Sequence, residues 1–203
     1  MKLYTAPNLF PNPRRVRIFL AEKGVSIPET PIDMMTGEHK SPAFLAKNPA
    51  GQIPVLELDD GRTLSETVSI CRYLEALHPT PPLFGADAFA RAEVDMWTRR
   101  VELMLTAPLG QFWRHAHPLM AGRIHQFTDF GESNRATAAE AMMFFNRRLQ
   151  HSPFIAGADF SMADICALAS IDFASFMALE PPREADALRD WHDRVSARPS
   201  ASA

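Results

Sequence analysis

Gly51-Gln52-Ile53-Pro54-Val55-Leu56-Glu57-Leu58, then Asp59-Asp60-Gly61-Arg62, then Thr63-Leu64-Ser65-Glu66-Thr67, reads as a strand, a tight turn, a second short strand and a helix start. Asp-Gly between two short strands is the strongest local hairpin signal a sequence carries. Pro54 stands first in its strand, where the missing N–H need not join the ladder. The same proline admits a cis peptide after Ile53, which would turn the Ile53 N–H and C=O outward to receive a peptide-like ligand as an added strand. Both readings of Pro54 stand at this point. The helix that starts near Glu66 offers free N–H groups and a dipole to a carboxylate, while Glu66 can hold an ammonium group. A ligand with a peptide bond, an α-amino group and an α-carboxylate would satisfy both features together.

Upstream, residues 2–4 form a short strand, and a proline-rich loop over residues 7–13 leads into a helix. Asn12 suits its N-cap and Pro13 its first position, where a missing N–H costs nothing. Val16, Phe19 and Leu20 then follow at helical spacing, and Gly24 supplies the stop. A weaker strand near residues 29–34 makes the order strand–helix–strand, which favours a parallel pair with a right-handed crossover. A helix over residues 65–77 closes this part, with Val68, Cys71, Leu74 and Leu77 on one face. The order is βαβ followed by ββα.

Downstream, His78-Pro79-Thr80-Pro81-Pro82-Leu83-Phe84-Gly85 cannot continue a helix and reads as a linker. Beyond it only helical periods occur, near residues 88–117, 132–151, 161–178 and 183–197, with Pro108 kinking or interrupting the first. Ser161-Met162-Ala163-Asp164 before an apolar run is a capping box, a structural device that sets where a helix begins. The Ala/Ser run after Pro199 reads as a low-complexity tail. The expected organisation is an α/β domain over residues 1–78, a linker over 79–87 and an all-helical domain over 88–203.

Composition narrows the function. Of 203 residues 46% are hydrophobic and 22% charged, with 21 Lys+Arg against 24 Asp+Glu, so disordered, collagenous and coiled-coil chains are excluded. A net charge of −3 argues against a nucleic-acid partner. No stretch reads as a signal peptide or a membrane span, and the isolated Cys71 and Cys166 read as buried hydrophobes, so a cytoplasmic location is expected. No metal-ligand spacing, Gly-x-Gly loop or Gly-x-Ser-x-Gly elbow is present, so neither a metal site, a nucleotide enzyme nor a serine hydrolase is expected.

Four separated motifs then carry a resemblance. Ile53-Pro54-Val55-Leu56-Glu57-Leu58, Ser65-Glu66-Thr67-Val68-Ser69-Ile70, the segment from Gly37 to Pro49 and the capping box Ser161-Met162-Ala163-Asp164 stand in the order found in the glutathione transferases. The chain resembles that family over nearly its whole length, and within it the yeast-type fungal group and its bacterial relatives. The resemblance implies a thioredoxin-like N-terminal domain, an all-helical C-terminal domain, a homodimer, a role in detoxification, and glutathione as cosubstrate with no further cofactor. By position it implies that Glu66 and Thr67 take the γ-glutamyl end, that Ile53 pairs with the cysteinyl backbone, and that His39 and Gln52 face the glycine carboxylate, with Lys40 competing for that role.

The chain departs from the family where the thiol is activated. The usual Tyr, Ser or Cys near the first helix is missing, Pro11 stands where related chains often have serine, Tyr4 lies inside the strand and Thr5 lies early. Without a cysteine there, disulfide exchange is not expected. A free thiol has a pKa of about 8.5, and a helix N-terminus can depress it by about one unit. Asn12, with the Arg14 and Arg15 N–H groups, is the candidate for that effect, and it can cap the helix as well. His115 in Trp113-Arg114-His115-Ala116 reads either as a group holding water on the sulfur, as the yeast-type group implies, or as a helix-ending histidine. Met104, Leu105, Phe112 and Trp113 are candidates to line an acceptor site and equally fit ordinary core. The function expected is transfer of the glutathione thiolate to small hydrophobic electrophiles. The alternatives are a non-catalytic glutathione-binding or scaffolding member and a glutathione-dependent peroxidase.

Overall fold

Strand β1 (Lys2–Thr5) pairs in parallel with β2 (Glu29–Pro31) and antiparallel with β3 (Val55–Glu57), which continues antiparallel to β4 (Thr63–Leu64). The sheet order is β2-β1-β3-β4 in the computed structural model, which describes residues 1–6 and 10–203. The turn between β3 and β4 is the expected one: Gly61 has φ +84°, which its missing Cβ permits, and Leu58 N–H donates to Arg62 O at 2.8 Å. Leu3, Tyr4 and Thr5 are all buried, so both faces of β1 are covered. On one face Tyr4 and Ala6 pack with Ile32, Phe44, Ile53 and Val55.

Helix α1 (Pro11–Lys23) supplies the crossover between β1 and β2 and packs on α3 (Thr67–Leu77), using Val16, Ile18, Phe19 and Leu20 as its buried side. It starts earlier than its sequence suggests. Phe10 is the N-cap, Pro11 and Pro13 both lie in the first turn, and Asn12 is an exposed residue within that turn, not the cap. Either proline suits a first turn, because neither has an N–H to leave unpaired, and the helix takes the earlier one. Gly24 ends it as expected, at φ +63° with its N–H on Ala21 O. A 3₁₀ turn (Glu38–Lys40) and a short helix, α2 (Pro42–Leu45), capped by the Ser41 hydroxyl, add structure between β2 and β3 that periodicity alone does not indicate.

The chain divides into two compact units, Met1–Leu83 with Pro199–Ala203, and Phe84–Arg198. The tail, expected with the helices, groups with the first unit instead, because it hydrogen-bonds to α1.

In the second unit α4 (Ala88–Arg100) runs into a π turn (Val101–Thr106) and then α5 (Ala107–His115). The interruption anticipated at Pro108 takes this form: proline cannot donate to the carbonyl four residues back, and the preceding turn widens, with Ala107 N–H on Glu102 O. Helices α6 (Thr128–Leu149), α7 (Met162–Phe176) and α8 (Asp186–Ser196) follow. Helix α7 is buried on nearly all sides from Met162 to Ile171, and its Ala, Ser and Cys side chains let α4, the π turn and α8 approach. Ser161 is its N-cap, and Asp164 reaches back to the Ser161 N–H at 3.0 Å. Asp164 also accepts from the Ile155 N–H and the Trp191 Nε1–H, each at 2.9 Å, which ties α7 to the preceding loop and to α8. Cys71 and Cys166 are both buried and form no disulfide with one another.

Candidate functional site

The Ile53-Pro54 peptide is cis, and among the described residues the main-chain N–H and C=O of Ile53 have no hydrogen-bond partner. Ile53 is buried at 8% exposure and packs with Tyr4, Phe44 and Val55, so the residue is anchored while its peptide groups keep hydrogen-bonding capacity unused by the described residues. Several contacts fix the loop in front of it. Asn48, itself buried, donates through Nδ2 to Gln52 O at 2.8 Å and accepts from Ala50 N–H at 3.2 Å. Lys40 Nζ donates to Gly51 O at 2.9 Å and Ala50 O at 3.2 Å.

These contacts sort the residues predicted for the carboxylate end. Lys40 is committed to the loop's own carbonyls, which makes it a clamp. Gln52 has an exposed side chain beside Ile53. His39 is half-buried, and its Nδ1 is buried without a partner among the described residues. Burial, and to a smaller degree the Lys40 charge, pushes the His39 pKa down, so its imidazole favours the neutral form. Gly51 is the residue the sequence reading passed over. At φ +57° it requires glycine, and a Cβ there would lie 2.8 Å from Lys40 Nζ, 2.9 Å from His39 O and 3.0 Å from Leu45 Cδ2. Gly51→Ala is therefore expected to cost about 1–3 kcal/mol in stability. It should also weaken ligand binding by displacing His39 and Gln52; urea unfolding and calorimetry measure the two effects, and an unchanged midpoint would refute the cradle.

Glu66 is the N-cap of α3, with φ +67° and ψ 117°, a region that non-glycine residues seldom occupy. No side chain caps this helix among the described residues, so the Glu66 and Thr67 end presents open N–H groups. Glu66 is exposed and Thr67 buried at 7% exposure. Strain of this kind persists where surrounding structure holds a residue for a task. Ile53, Glu66 and Thr67 all belong to the first unit.

At the start of α1 the prolines change the chemistry. Pro11 and Pro13 have no N–H, and Arg14 N–H turns to Phe10 O at 3.4 Å, so the main-chain N–H of Asn12 is the donor that the first turn retains. The Arg14 N–H predicted to contribute is spent inside the helix. The nearby hydroxyls are committed as well. Tyr4 donates to Glu57 Oε2 at 2.6 Å, and the same oxygen accepts from Lys47 Nζ at 2.7 Å. The buried Thr5 Oγ1 accepts from Arg17 Nη2 at 3.0 Å while Arg17 holds Glu29. Part of the loop in question, residues 7–9, lies outside the described residues.

In the second unit His115 closes α5. Its Nδ1 accepts from the Phe127 N–H at 3.4 Å, and its ring contacts Phe127 and Phe130. An imidazole that accepts at Nδ1 carries its proton on Nε2 when neutral, so Nε2 is left as a donor. Of the candidate acceptor-site residues, Leu105 and Phe112 are core at 1% and 3% exposure, whereas Met104 is exposed and Trp113 half-buried. Among the described residues no group of three or more His, Cys, Asp or Glu side chains could hold a metal, and no helix is long and apolar enough to cross a membrane.

Two family models match the chain: glutathione S-transferase N-terminal domain over residues 11–77 and glutathione S-transferase C-terminal domain over residues 126–199. Glutathione S-transferase 2 of Saccharomyces cerevisiae is 40% identical over 98% of this chain and 87% of its own length. The crystal structure of Gtt2 from the same yeast superposes with a TM-score of 0.94 at 39% identity, covering 100% of this chain and 99% of that one. A glutathione S-transferase domain-containing protein from Marinobacter aquaeolei gives a TM-score of 0.95 at 39% identity, covering 98% and 99%.

Proposed function

The chain belongs to the glutathione S-transferase family, and from that premise we propose that it transfers the glutathione thiolate to small hydrophobic electrophiles, with residues 1–78 as its glutathione-binding domain. The observation that carries this reading is the presence, in one unit, of an Ile53 peptide without a hydrogen-bond partner among the described residues and a positive-φ N-cap at Glu66. In the proposal Ile53 pairs with the cysteinyl backbone, as an added strand does. Glu66 and Thr67 hold the α-ammonium and α-carboxylate, the latter on the open N–H groups of α3. His39 and Gln52 face the glycine carboxylate as neutral donors.

Thiol activation is assigned to the start of α1 and to His115. An N–H aimed at the sulfur favours the anion over the thiol, and each unit of pKa depression corresponds to about 1.4 kcal/mol of such preference. Asn12 supplies that N–H, and the resemblance to the yeast-type group assigns His115 the task of holding a water as charge moves to the acceptor. No protein thiolate is required. The electrophile is expected at Met104 and Trp113. Phe89, Met96 and Leu103, seven residues apart and all exposed, form an apolar stripe that suits a homodimer contact. A cytoplasmic location accords with two buried cysteines that form no disulfide with one another.

A turnover assay with glutathione and a chloroarene, beside one with an organic hydroperoxide and a binding titration, tests the activity. Binding without turnover of either acceptor would reduce the protein to a glutathione-binding module. Thiolate absorbance against pH tests the activation. Tyr4→Phe and Thr5→Ala should leave the bound thiol depressed below its free pKa, because both hydroxyls already serve other partners. Asn12→Pro removes the N–H at a position that tolerates proline, and it should raise the bound pKa more than Asn12→Ala, which keeps the N–H. His115→Ala should lower turnover more than binding. Loss of the shift in Tyr4→Phe alone would return the role to the tyrosine hydroxyl.

A further inference from the structure

Pro199-Ser200-Ala201-Ser202-Ala203 has the composition of a solvated tail, yet Ser200 and Ala201 are only 6% and 8% exposed. Pro199–Ser202 forms a 3₁₀ turn that packs on α1. In the first turn of that helix Arg14 Nη2 donates to Ala201 O at 3.0 Å. In its last turn Glu22 accepts from the Ser200 hydroxyl. Ala203 lines a cleft with Leu20 and Ala21. The segment therefore grips α1 near both ends.

The first turn of α1 needs such a grip. Two of its residues are prolines without an N–H, no side chain caps it among the described residues, and its first intrahelical bond is long, Arg14 N–H to Phe10 O at 3.4 Å. A helix end with so few internal bonds frays unless tertiary contacts hold it. A donor that must sit against a sulfur atom loses its effect when it moves by a fraction of an ångström, because the interaction weakens steeply with distance and angle.

We propose that Pro199–Ala203 is a strap that holds the first turn of α1 in place for thiol activation, with Arg14 as the positioning residue through which it acts. Arg14 touches neither thiol nor acceptor in this scheme. It fixes the backbone that carries the Asn12 N–H. The proposal rests on the assignment of thiol activation to α1, and the experiment separates the two.

Two variants loosen the strap: Arg14→Met, and replacement of residues 200–202 by glycine. Three readouts are taken on each: glutathione affinity, the pKa of the bound thiol, and amide exchange at Arg14 and Arg15. The expected result is faster exchange and a bound thiol pKa raised by up to about one unit, the share a helix terminus supplies. Glutathione affinity should change little, since Ile53 and Glu66 are untouched, and kcat should fall with the thiolate fraction. Arg14→Lys, which keeps one donor, should recover part of the shift. A bound pKa depressed in the parent protein and unmoved in both variants, while exchange accelerates, overturns the strap and leaves activation by α1 standing. A parent protein whose bound thiol shows no depression overturns both.

Discussion

Asp164→Ala is expected to lower the unfolding free energy by about 4–5 kcal/mol, the largest loss foreseen for any single side chain in the helical unit. Its carboxylate is fully buried and accepts from the Ile155 N–H, the Trp191 indole N–H, and both the N–H and hydroxyl of Ser161. Truncation leaves those donors facing apolar surroundings, and each unpaired buried donor costs about 1–3 kcal/mol. The costs do not simply add, because the donors share one acceptor group and the site can partly collapse. The effect should register as a collapse in the urea midpoint of the whole chain. A midpoint within experimental error of the parent would mean that water or rearrangement satisfies the donors, and the capping box would lose its structural role.

The same group sets a pH dependence. Burial raises the Asp164 pKa to about 6, outweighing the four hydrogen bonds that pull it down. The folded state therefore binds this proton more tightly than the unfolded chain, whose carboxyl titrates near 4. Linkage fixes the sign: the contribution is fully present below about pH 4, declines as pH rises, and is lost above the folded value of about 6. The span amounts to at most about 3 kcal/mol, and Asp164→Asn should flatten it. The difference between parent and Asn variant, followed from pH 4 to 7, isolates this carboxyl from exposed acids whose pKa values are lowered. A difference that grows with pH would reverse the assignment.

Local signals explain which elements were legible. Asp60-Gly61 announces its hairpin because few dipeptides accept that turn, and Ser161 with Asp164 announces the start of α7 because the box is a short-range device. The α1 boundary was harder to read. Asn12 has the chemistry of a cap, but two prolines compete for the first turn, and local preference does not choose between them. Distant partners hide still more. Lys40 reads as a free cation until Ala50 and Gly51 bring their carbonyls to it. Leu105 and Phe112 have the same spacing whether they line a cavity or fill the core. The tail composition says nothing of Glu22 and Arg14, which bury it. Glu66 is the sharpest case, because a positive φ on a glutamate contradicts local preference, and no pattern in the sequence foretells it.

That contradiction makes Glu66→Gly a discriminating substitution, for it should move stability and binding in opposite directions. Glycine occupies φ +67° without the Cβ penalty a glutamate bears, so the variant is expected to unfold at higher urea, with a gain of about 1 kcal/mol. Glycine's greater freedom in the unfolded chain offsets part of this gain. The exposed carboxylate, by contrast, has no hydrogen-bond or ion-pair partner among the described residues, and its loss removes the charge-assisted partner proposed for the glutathione ammonium. Such a bond contributes about 2–3 kcal/mol, which corresponds to roughly 30- to 150-fold in affinity. Glu66→Gln separates the two effects, since it keeps the strained backbone and the hydrogen-bonding shape but not the charge. It should weaken glutathione without gaining stability. If the glycine variant instead binds glutathione as the parent does, the positive φ serves some purpose other than presenting this carboxylate, and Glu66 leaves the site. If it binds weakly and is also less stable, the glutamate side chain supports the helix start itself, and the lost affinity reflects a frayed α3 instead of a missing charge.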